Sequence, residues 1–166
     1  MPSTALRFAL TLAAAVSAIG AGPGVVARAA LTVTFDLAFD KANGTTPVPT
    51  NVQNEIISAI NAAMGMFNEW SNHTKNLYVT YNSGVATADG NFNGSIRFGP
   101  SAAYRTPNVA FHEINHVLGA GTYGAWASNV DNNAKLWLGT HGNAMSQKYF
   151  PANTLKADLH IHWVGG

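Results

Sequence analysis

Two imidazoles and a carboxylate in one short run, His112-Glu113-Ile114-Asn115-His116, are the residues of this sequence best suited to chemistry. On a helix, residues four apart share one face with Cβ atoms about 5–6 Å apart, so both rings can point at one ion with bonds near 2.0–2.1 Å. Zinc is the cofactor expected there, with His112 and His116 as metal ligands. Glu113, one residue further round the helix, faces a water beside the metal and is the candidate catalytic general base. Zinc lowers the pKa of such a water to about 7, which makes its proton removable near neutrality. Random ordering of the 6 His and 3 Glu among 166 residues would produce this pattern only on the order of 0.004 times. Chance is a poor explanation for it.

For the run to work it must lie on a helix with defined ends. Thr106-Pro107 opens one, because threonine is a good N-cap and proline at the first helical position loses no hydrogen bond. Val109, Ala110, Ile114, Val117 and Leu118 supply its apolar surface, and Gly119 stands where a left-handed C-terminal cap is needed. Further upstream, Leu31 to Phe39 alternates apolar and polar residues as a half-buried strand does, and Asn43-Gly44 and Pro47-Val48-Pro49 end it. Thr50 and Gln53 form a predicted capping box ahead of Val52, Ile56, Ile60, Ala63, Phe67 and Trp70, whose three- and four-residue spacing predicts an amphipathic helix packed on a sheet. Leu77 to Tyr81 and Ser95 to Phe98 read as strands, and Asn91 to Gly94 as a turn. From Ala120 to about Ala152 no pattern assigns structure. Leu159-His160-Ile161-His162-Trp163 alternates, as a strand or as a loop pinned by a ligand. The expected fold class is α+β: a small twisted mixed sheet, a backing helix from Thr50 and an active-site helix from Pro107.

With the glycine included, His112 to Gly119 reads His-Glu-x-x-His-x-x-Gly, which resembles the zincin metallopeptidases and looks like the opening of the metzincin motif. That resemblance implies a third histidine three residues after the glycine, where this chain has Thr122. The third ligand must therefore come from elsewhere. Glu113 is the last glutamate, and only Asp131 and Asp158 among aspartates follow the motif, whereas His141, His160 and His162 all do. Gly119 to Tyr123, Trp137-x-Gly139, Asn143-Ala144-x-x-Gln147, Ala157-Asp158 and His162-Trp163 are similar to a group of uncharacterised secreted bacterial zincin-like proteins. The histidine before tryptophan in that group carries over to His162, with His160 and then His141 as alternates. On a strand His160 and His162 would share a face, since side chains alternate with period two. Tyr123 and Tyr149 are candidate oxyanion stabilisers, because a phenol can donate to developing negative charge. Met145 precedes His162 instead of following it, unlike the methionine turn of the metzincins, and His73 is expected at the surface.

Composition narrows the remaining classes. Charged residues are 10% of the chain, against about 25% in typical domains, and apolar residues are 47%. Neither disorder nor a nucleic-acid partner fits that balance. There is no cysteine, which leaves His, Asp and Glu as metal ligands. Arg7, the apolar run from Phe8 to Ile19, the breaker Pro23-Gly24 and Ala27-Arg28-Ala29 follow the order of a secretory signal peptide over residues 1–29. The apolar run is too short to span a bilayer, so no membrane association is expected after cleavage. As a whole the sequence reads as a secreted, bacterial, monomeric zinc metallopeptidase domain over residues 30–166, acting on a peptide or protein substrate. Its rivals are a zinc hydrolase of non-peptide amides or esters, and a zinc-containing module that binds glycan or protein through exposed Trp126, Trp137 and Trp163.

Overall fold

Alternation in Leu-Thr-Val-Thr-Phe-Asp produces strand β1 (Leu31–Asp36), whose Leu31, Val33 and Phe35 pack inward while Thr32 and Thr34 face solvent. The structure, a computed structural model, describes residues 30–71, 73–131, 133–140 and Asn143. The predicted signal segment, His141, Met145, Tyr149, Asp158, His160, His162 and Trp163 lie outside those residues. Helix α1 (Thr50–Trp70) follows β1 and crosses over to β2 (Lys75–Tyr81), which pairs parallel to β1 with Val33 opposite Leu77. A parallel pair requires such a crossover. The chain then reaches the sheet edge as β3 (Ala88–Gly90), turns at Asn91 to Gly94, and returns as β4 (Ser95–Phe98) between β2 and β3. β4 runs parallel to β2 and antiparallel to β3, so the sheet is mixed, in the order β1-β2-β4-β3.

The apolar stripe of α1 works as its spacing predicts: Ile56, Ile60, Ala63 and Phe67 are buried, joined by Ala59. They meet Leu77 and Val79 of β2, Ile96 and Phe98 of β4, and Ala110, Ile114 and Val117 of helix α2 (Pro107–Val117). Each of the fully buried aliphatic side chains stabilises the fold by roughly 1.5–3 kcal/mol relative to exposure. Two helices and a small mixed sheet thus share one core, and Thr32, Thr34, Asn76 and Tyr78 leave the other sheet face open to water.

Two local expectations change. Helix α1 begins at Thr50 itself with Pro49 as its N-cap and no side-chain cap, so the predicted capping box does not form. The extended Pro49 (ψ 139°) already ends the approach to the helix, and Gln53 instead donates from Nε2 to the Val48 carbonyl at 2.8 Å. Strand β3 is the second surprise, since Ala-Asp-Gly is a poor strand former. It pairs because β4 offers it an edge, and Arg97 grips Asp89 through Nε at 2.9 Å and a terminal nitrogen at 2.5 Å.

The loops around this sheet are tied by a buried carboxylate. Asp40 accepts from the Ala42 and Ser83 amides, each at 2.9 Å, and from the Ser83 hydroxyl at 2.5 Å. Burial pushes its pKa up, but the bonds from Ser83 and Ala42 outweigh that and hold it below the ordinary value. The β1–α1 connection is thereby fastened to the segment that leads into β3.

Candidate metal centre

Helix α2 begins as its sequence requires. The Thr106 hydroxyl accepts from the Val109 amide at 3.4 Å, and Pro107 takes the first helical position. With Ala110, Ile114 and Val117 buried in the core, the helix cannot rotate, and His112, Glu113 and His116 are turned to one cleft. The other end is a Schellman turn. Gly119, at φ +114°, sends its amide to the His116 carbonyl at 3.0 Å, and the Ala120 amide reaches the Asn115 carbonyl at 2.9 Å. Any side chain at Gly119 would strain this conformation.

The turn has a chemical consequence. It brings the Ala120 carbonyl to 2.6 Å from His116 Nδ1. A carbonyl can only accept, so Nδ1 carries a proton, and in the neutral ring Nε2 is left with the lone pair. Nε2 of His116 lies 3.0 Å from Nε2 of His112, with the rings perpendicular. Two zinc–nitrogen bonds at a tetrahedral angle require about 3.3 Å, so small side-chain adjustments suffice. The donor atoms of His112, Glu113 and His116 all lie within 4.8 Å of one another, and Nδ1 of His116 is held by a carbonyl as ligating histidines usually are. These residues fit a divalent zinc ion. They supply two imidazoles, and the expected third ligand, His162, with its alternates His160 and His141, lies outside the described residues.

Glu113 and His116 are buried while His112 is exposed, so the site has an inner and an outer side. The cleft holds about 560 Å³ and is lined by Ala88 and Gly90 of β3, Tyr104, Asn108 and the three motif residues. Burial, followed by the charge of Asp89, pushes the Glu113 carboxyl up to about 7, although a backbone bond from Gly90 pulls the other way.

Strand β3 sets the inner wall by close approach. A Cβ at Gly90 would lie 2.3 Å from the Glu113 backbone carbonyl oxygen, so only glycine lets α2 sit this near the sheet edge. Gly90→Ala is therefore expected to push the helix off β3 and lower stability by about 1–3 kcal/mol. An unchanged urea midpoint would refute this contact.

Other candidates fall elsewhere. Tyr123 is exposed and its ring meets Phe92 at 4.9 Å, beside an apolar groove that also includes Trp126 and Trp137. The tyrosine that lines the cleft is Tyr104, which no sequence pattern marks. Trp126, expected as an exposed binding residue, is buried, with its ring 4.7 Å from that of Trp137. It serves a small second core with Val130 above the hairpin of β5 (Val130–Asp131) and β6 (Leu136–Trp137). Asp131 caps its own turn through the Asn133 and Ala134 amides and is not part of the cluster. His73 is exposed, as expected. Comparison of the chain with family models, curated proteins and solved structures found no match.

Proposed function

We propose that this chain is a secreted, zincin-like, zinc-dependent metallopeptidase that hydrolyses peptide bonds. The observation that carries the reading is two Nε2 atoms converging at 3.0 Å beside a buried carboxylate in an accessible cleft. His112 and His116 would hold the zinc, with His162 as third ligand and His160 or His141 in reserve. When bound, zinc would polarise the scissile carbonyl and acidify a water. Glu113 would take a proton from water in the cleft and pass it to the leaving amine, since its carboxylate is the base that lies beside the two imidazoles. Tyr104 stands in the cleft with a phenol able to donate to developing negative charge.

The outer edge of β3 supports a peptide substrate over other amides and esters. β3 pairs on one side only with β4 and ends the sheet among the described residues. An extended peptide can add its backbone to such an edge, which would lay it along the cleft past His112 and Glu113. The binding-module alternative loses the support of Trp126 through that residue's burial. No helix among the described residues is long and apolar enough to cross a membrane.

Elemental analysis of purified protein should find about one zinc per chain, and a peptide library should be cleaved in a chelator-sensitive way. A zinc-loaded chain that leaves every peptide intact would overturn the peptidase reading. Secretion has its own check: intact mass of protein from culture medium should lack the first 29 residues or close to it, since Ala27-Arg28-Ala29 is the proposed cleavage signal. Full-length product confined to the cytoplasm would refute it.

A further inference from the structure

We propose that Thr122 is a positioning residue of this centre, holding the His116 imidazole in the tautomer that can bind a metal. Its consequence for zinc rests on the metallopeptidase reading; its geometry stands independently. Thr122 occupies the position of the third metzincin histidine, yet its hydroxyl donates to the backbone carbonyl of His116. The His116 ring in turn donates from Nδ1 to the Ala120 carbonyl at 2.6 Å. Helix and turn are thus tied in both directions, ring to turn and turn to backbone.

The need for the second tie follows from the chain between them. Ala120 is flanked by Gly119 at φ +114° and Gly121 at φ +74°, two residues whose own sterics restrain the backbone least. The orientation of the Ala120 carbonyl depends on the peptide that links Ala120 to Gly121. Beyond Ala120, the amides of Thr122 and Tyr123 both bond to the Gly119 carbonyl, at 3.3 and 3.1 Å, so they close the turn on itself. The Thr122 hydroxyl returns the far half of the turn to the helix, at the His116 carbonyl. Without it the Ala120 carbonyl can swing away from Nδ1. The Nδ1–H form then loses the acceptor that favours it, and a proton on Nε2, which can be donated to His112 Nε2 at 3.0 Å, blocks the lone pair a metal needs.

The test compares the full chain with Thr122→Val, Thr122→Ala and Thr122→Ser. Nitrogen-15 NMR of the metal-free imidazoles, above the pH of their titration, reads the His116 tautomer, and competition with a chromophoric chelator reads affinity for zinc alone. Wild type and the serine variant should show Nδ1–H and equal zinc affinity. Valine and alanine should mix the tautomers and lose about 10-fold in affinity, the scale of a lost outer partner of a metal ligand, with helix content by circular dichroism unchanged. If valine fails to fold, alanine carries the comparison, since it leaves space in place of an apolar atom against the carbonyl. The proposal is overturned if valine and alanine behave as wild type, or if serine falls with them. Should wild type take up no zinc, the metallopeptidase reading fails while the tautomer comparison still decides the role of Thr122.

Discussion

Replacing His116 with alanine is expected to empty the metal centre, dropping zinc from about one per chain to well below one. His116 supplies one of the two imidazoles that converge among the described residues, and its ring is preset by the Ala120 carbonyl. Losing only an outer partner of a ligand costs 10–100-fold in metal affinity, so losing the ligand itself should cost more than about 100-fold. The fold should survive, because the packing of α2 rests on Ala110, Ile114 and Val117, and alanine is the best helix former. Zinc titration followed by elemental analysis reads the effect, with circular dichroism as control. A His116→Ala protein that keeps stoichiometric zinc would remove the centre from this helix face.

Glu113→Gln should separate chemistry from binding. Glutamine keeps the shape but cannot accept a proton, so peptide cleavage should fall by about 10²–10⁴-fold, the usual contribution of a general base. Zinc should stay bound, since His112 and His116 are untouched. The same variant has a second signature in the metal-free chain. The folded Glu113 carboxyl is raised from 4.5 to about 7, chiefly by burial and then by Asp89. The folded state therefore binds the proton more tightly than the unfolded one. Stability from this group is complete below pH 4.5 and lost as pH rises toward 7. Glutamine carries no such loss. Metal-free Glu113→Gln should match wild type in acid and exceed it at and above neutrality by about 1–2 kcal/mol, once solvent screening of a carboxyl that opens to the cleft is allowed for, read from urea midpoints across pH. Equal midpoints across that range would mean that the Glu113 carboxyl is not raised by its surroundings, and undiminished cleavage would dismiss it as the base.

Helix α2 is legible residue by residue because its signals are local. Thr106-Pro107 needs only the next turn to act as a start, Gly119 needs only the preceding turn to act as a stop, and His112 and His116 meet through helical geometry alone. The same holds for the buried stripe of α1 and for the alternation of β1. The Thr50 capping box fails at this level because Pro49 takes the N-cap and leaves Thr50 inside the helix. Trp126 misleads for another reason: an indole in a Gly- and Asn-rich stretch reads as surface, yet Trp137 and Val130 close around it.

Local spacing by itself determined which atoms can converge: two imidazoles on one face of a capped helix, next to a glutamate, on a chain whose alternation and helical periodicity specify a small α+β core. Tertiary structure decided what those atoms experience. β3, too weak to be read from Ala-Asp-Gly, exists only because β4 offers an edge, and Gly90 then admits the Glu113 backbone at a distance no other residue allows. Beside β3, Glu113 loses water and feels Asp89, two effects of residues distant in sequence that push its pKa up. The Ala120 carbonyl selects the His116 tautomer, and the turn that presents it is held by Thr122. The division has one physical reason. Helical spacing and caps are set within a few residues, whereas desolvation and charge depend on whichever distant segments the core brings into contact.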